Sequence, residues 1–133
     1  HVKQALRVTL DWNAPAVGLP RKLSSLQFVI KSFCRHLHRV MELEEQDGYM
    51  VVVAEQKPNL DIRIKKLERE HAFFRREMER IAPAVASLSE FDVAQVERVC
   101  EEIYRFLDHV DRHDADEVAL LQDSMLCDEG GEG

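Results

Sequence analysis

His113 and Glu117 stand one helical turn apart in the stretch LDHVDRHDADEVALLQ, on a stripe that also carries Phe106, Val110 and Leu120. On a helix, residues four apart share a face. An imidazole nitrogen and a carboxylate oxygen so placed can grip one metal ion. The apolar members of the stripe mark the same face as the one to be buried. A carboxylate left unpaired in a core costs several kcal/mol, and leucine would carry no such cost, so something must compensate Glu117.

Three other stripes repeat the pattern. Glu44 closes the run Leu23, Leu26, Ile30, Phe33, Leu37, Val40. His71 interrupts Leu60, Ile64, Leu67, Phe74, Met78, Ile81, Val85. His1 leads Ala5, Val8 and Trp12. Each stripe therefore sends a metal-ligand type toward the common interior. Taken singly, a seam histidine is more often a hydrogen-bonded core residue, and Glu44 could pair with an arginine at a helix end. Imidazoles and carboxylates converging from several helices are instead how bundles hold iron or manganese. A mixed nitrogen and oxygen set suits iron first, with zinc and manganese as alternatives. His36 and His109 lie between stripe members and rank second as ligands, whereas His38 and Glu42 point further out.

The elements that must position these residues are read from the 3.6-residue period. Only five glycines and four prolines interrupt the 133 residues. The first helix is expected from His1 to about Trp12, before a loop with Pro15, Gly18 and Pro20. The second runs from Arg21 to about Ala54. After EQKPN, Pro58 stops the chain and Asn59 can cap a third helix. The last opens at SEFD, where Ser89 and Asp92 resemble a capping box, and reaches about Leu126. Breaks thus fall near residues 13–20, 56–59 and 86–89. Four amphipathic helices with short loops fold most simply as an all-α, antiparallel up-down-up-down bundle over residues 1–126. The acidic, glycine-rich residues 127–133 are expected as a flexible tail. In that bundle Glu44, His71 and Glu117 fall within about one turn of the same height, at ~1.5 Å rise per residue.

Composition narrows the partners. The chain is one domain's length, and 25 acidic against 18 basic residues give a net charge of -7. That balance argues against nucleic acid or an anionic membrane surface and toward a small or proteinaceous partner. No apolar run approaches the roughly 18 residues that span a bilayer, and nothing reads as a signal peptide, which predicts a cytoplasmic location. Cys34, Cys100 and Cys127 lack metal-type spacing and are read as free thiols, two of them packing residues. RIKKLERE and FFRREMER read as solvated charged faces with their own i, i+4 pairs.

The helix-start histidine, LEEQDGYM, LEREH and HDADEVALLQ, in that order, resemble the bacterial hemerythrin-like (HHE cation-binding) domains over nearly the whole chain. The resemblance implies a hemerythrin-like four-helix bundle around a non-haem mono- or di-iron centre that binds or senses dioxygen or a related small molecule, or handles iron. It implies His1, Glu44, His71, His113 and Glu117 as ligands. Two positions depart from the family pattern: Val40 stands where a second-helix histidine is usual, and Arg75 where a second third-helix histidine is usual. The centre is accordingly open to one metal, to two with His36 or His109 recruited, or to none. Three functions follow. One is a sensor-like metal-binding module with open coordination positions, a reading that favours binding over catalysis and leaves enzymatic activity open. Another is a ferritin-type di-iron oxidase, which would want two Glu-x-x-His motifs where only Glu68 and His71 supply one. The third is a metal-free helical interaction bundle.

Overall fold

The computed structural model describes residues 1–12, 18–46 and 48–129, with side chains as far as residue 126. Helices α1 (Val2–Asp11), α2 (Leu19–Gln46), α3 (Tyr49–Gln56), α4 (Asp61–Ala86) and α5 (Val93–Glu129) follow one another, with a 3₁₀ turn at Pro58–Leu60 before α4. There is no strand among the described residues. Helix α1 packs on α2, α2 on α4, α4 on α5, and α5 back on α1, which closes a four-helix bundle with α3 as a short addition. Among the described residues, no helix is long and apolar enough to cross a membrane.

Two apolar clusters make the interior. The larger joins α1, α2, α4 and α5 through residues such as Leu6, Leu26, Ile30, Ile103 and Leu107. Phe106 packs edge-on to Phe33 and Phe74, with ring centroids 5.9 and 5.8 Å away, the arrangement aromatic quadrupoles favour. The smaller cluster holds Met50, Val53, Leu60, Ile64, Leu67 and Leu120. His71, four residues beyond Leu67 and three before Phe74, lies where one cluster gives way to the other.

Several local expectations are corrected. The second helix does not run to Ala54 but ends at Gln46, and the chain restarts as α3. Gly48 is the cause: a Cβ there would lie 2.6 Å from both Glu44 Cα and Leu43 O. The chain folds back against the last turn of α2 at a distance only glycine permits. The first-helix stripe is rotated, since His1 and Ala5 are exposed and Leu6, Thr9 and Leu10 are buried. Two leucines remove more apolar surface from water than a histidine and an alanine. Asn59 falls inside the 3₁₀ turn and caps nothing. Asp92, not Ser89, caps α5, accepting the Gln95 N–H at 3.1 Å. The start of the expected tail is helical as far as Glu129, and residues 130–133 lie outside the described residues, as do the loop residues 13–17.

Helix α1 is fastened to α5 by charge as well as packing. Lys3 pairs with Asp111 and Asp114 at 2.6 and 3.0 Å, and Arg7 with Asp111 and Asp108. Cys34 is half-buried, Cys100 is buried, and both are free thiols. The Cys127 side chain lies outside the described residues.

Candidate metal centre

Glu44 comes from the last turn of α2, His71 from the middle of α4, and His113 and Glu117 from successive turns of α5. One donor atom from each of the four lies within 4.8 Å of the other three. His71 is 0% exposed and His113 3%, and Glu117 is buried as well. Their presence inside follows from the stripes: each takes the place of an apolar residue on a face the bundle must bury.

A carboxylate orients each imidazole. His71 Nδ1–H donates to Glu45 Oε2 at 2.6 Å, and His113 Nδ1–H donates to Glu70 Oε1 at 2.8 Å. An ionised carboxylate only accepts, so in both rings the proton sits on Nδ1 and Nε2 presents a lone pair. Glu45 is in turn gripped by Arg75, whose two terminal nitrogens donate to its two oxygens at 2.9 and 2.7 Å. Such outer partners set tautomer and ring orientation in metal sites. Tyr49 Oη donates to Glu117 Oε2 from the first position of α3.

The inner face of the site is rich in acceptors. His71 Nε2 is fully buried and has no hydrogen-bond partner among the described residues. It stands 3.1 Å from Glu44 Oε1 without forming a hydrogen bond. His113 Nε2 faces Glu117 Oε2 at 3.6 Å. Lone pairs facing lone pairs in a buried space repel unless a cation lies between them. Burial, with Glu117 close by, pushes the Glu44 carboxyl above its usual range. Burial acts on Glu117 the same way, but His113 and Glu44 close beside it and the Tyr49 hydrogen bond outweigh that and hold the carboxyl at about 2. Desolvation would lower His113, yet Glu117 and Glu70 together raise it. A metal ion bound by two Nε2 atoms and two carboxylates would take the place of protons there, and this donor set fits iron, zinc or manganese.

The other candidate ligands stay apart. His1 is exposed at the start of α1, and His36 and His109 are exposed as well. His1 and His36 rim a cleft of about 160 Å³ floored by Phe33, Leu37, Val40 and Val110. Val40 thus faces a space one turn along α2 from Glu44. His109 accepts from Arg112 at 3.1 Å and meets the edge of the Phe73 ring. Glu68 is exposed, so the one Glu-x-x-His motif sends its glutamate away from the centre. Glu45, Glu70, Arg75 and Tyr49 are the residues that periodicity alone missed. A signal for two of them was present: Glu45 adjoins Glu44, and Glu70 adjoins His71. A neighbour on a helix points about 100° away, toward the flank of the next helix.

The family model for the hemerythrin HHE cation binding domain matches residues 3–122. Comparisons with curated proteins and with solved structures returned no match.

Proposed function

Because the chain belongs to the hemerythrin HHE cation-binding family, we propose that it is a non-haem iron-binding module whose Glu44, His71, His113 and Glu117 hold one metal ion and whose task is to bind or sense dioxygen or a related small molecule. The observation that carries this reading is the orphaned, fully buried Nε2 of His71 facing a carboxylate oxygen at 3.1 Å. A bound iron would supply Lewis acidity and a redox couple to a small ligand.

The chain's own residues do the rest. Glu45 and Glu70 hold both imidazoles with Nε2 inward, so no reorganisation is needed when a cation arrives. The Phe74 ring, whose centroid lies 5.1 Å from that of His113 in a T-shaped contact, helps exclude water from one side. The cleft at Val40 lies one turn along α2 from Glu44, which makes it the proposed approach for a small molecule. One metal is proposed, not two, because Val40 carries no donor and Arg75 is engaged with Glu45. Two free thiols fit a reducing compartment, so the cytoplasm is proposed as its location.

Elemental analysis of protein from iron-supplemented cells tests the reading, together with anaerobic Fe(II) titration of the metal-free chain. About one iron per chain is expected, with proton release on binding. Protein that carries no metal and takes up none in the titration would instead be a helical interaction bundle.

A further inference from the structure

Tyr49 is joined to the centre by an unusual piece of chain. Gly48 lets the backbone come within contact of Glu44, with no room for a Cβ. The next residue, at the start of α3, delivers a half-buried phenol to Glu117 Oε2. Met50 and Val53, 3% and 7% exposed, then pin α3 into the smaller apolar cluster. The phenol is therefore supplied by an element whose position is fixed from both ends.

A carboxylate can bind a metal through one oxygen or through both. Glu117 Oε2, the oxygen that faces His113 Nε2, accepts the Tyr49 hydrogen bond, so a symmetric two-oxygen grip on an ion must compete with that bond for the orientation of the carboxylate. We propose that Tyr49 is a positioning residue that keeps Glu117 a one-oxygen ligand and so leaves a coordination position free for an exogenous small ligand. The inference rests on the metal reading above. It gives α3 a purpose: the bundle's four donors hold the ion, and the added helix keeps the set from closing around it. Open positions of this kind separate reactive metal sites from structural ones.

The test uses Co(II) as a spectroscopic probe and azide as the exogenous ligand, on the full chain and on Tyr49→Phe, which removes the hydroxyl but keeps the ring. At saturating Co(II), Glu117 in the variant should take hold with both oxygens. The d–d absorbance per bound ion should then fall, as it does when coordination number rises, and azide affinity should weaken at least about tenfold, the lower end of what losing an outer partner costs a metal site. Unchanged spectrum and azide affinity in a variant that still binds Co(II) overturn the inference alone. So does a variant that no longer binds Co(II), since Tyr49 would then serve affinity and not coordination number. A wild-type chain that takes up no Co(II) overturns the metal reading and this inference with it.

Discussion

Arg75 and Glu45 form a two-pronged ion pair, nitrogen to oxygen at 2.9 and 2.7 Å, and the same Glu45 oxygen that meets Arg75 Nη1 receives the Nδ1–H of His71. The arginine at a position where the family resemblance leads one to expect a histidine thus helps to orient His71, one of the proposed ligands. Arg75→Ala should leave His71 buried but free to turn. Metal affinity should drop by about 10- to 100-fold, with Arg75→Lys intermediate because an ammonium cannot fork to both oxygens. Isothermal titration with Co(II) measures it, and equal affinity in all three proteins would remove the arginine from the site.

The four inner residues should act as a unit. His71→Ala and Glu117→Ala should each lower metal occupancy and the melting temperature of the metal-loaded protein together, since binding to the folded state is itself a stabilising free energy. His36→Ala and His109→Ala should leave occupancy unchanged, because both side chains are exposed and outside the cluster. Val40→His, which places a donor one turn from Glu44, should raise iron occupancy. Elemental analysis of the five variants decides the matter.

Gly48→Ala sets a methyl group 2.6 Å from the Glu44 Cα and Leu43 carbonyl. Backbone cannot swing aside as a side chain can, so α3 must move. A loss of about 1–3 kcal/mol is expected, the usual range for overpacking, read as a lower denaturation midpoint without a change of slope. A variant as stable as the wild type would show that the turn has slack.

Asp111 links pH to the docking of α1. Burial pushes its carboxyl up, but Lys3 and Arg7 outweigh that and hold it below its ordinary 3.8. A carboxyl depressed in the folded state contributes stability that is present above its unfolded value and lost as pH falls through the folded one. The pair is partly solvated, so the contribution is about 1 kcal/mol or less. Asp111→Asn should therefore melt slightly below the wild type near neutral pH, and the gap should close well below pH 3.8 and narrow in high salt. A gap that is the same at both pH values would exclude the carboxylate as its source.

The thiols should be slow to react in the folded protein. Burial raises Cys34 to about 11 and lifts Cys100 as well, which leaves little thiolate at neutral pH. Native protein should be alkylated slowly at both positions, and denatured, unreduced protein should show three free thiols. A count of one would reveal a disulfide.

What was legible along the chain was whatever a single helix decides for itself. Period and punctuation separated the helices of the bundle, and the cost of burying a charge marked Glu44, His71, His113 and Glu117 as residues in need of a partner. The register of antiparallel helices even placed three of them at one height. The tertiary structure decided what depends on how helices are turned and spaced against one another. It rotated α1 so that Leu6 and Leu10 face in and His1 faces out. It broke the second helix at Gly48, where the obstacle to any other residue is backbone four and five positions earlier, brought close only by the fold-back. It gave Glu45, Glu70, Arg75 and Tyr49 their work, because each of them points off its own helix's buried stripe and gains meaning only from the neighbouring helix that it meets.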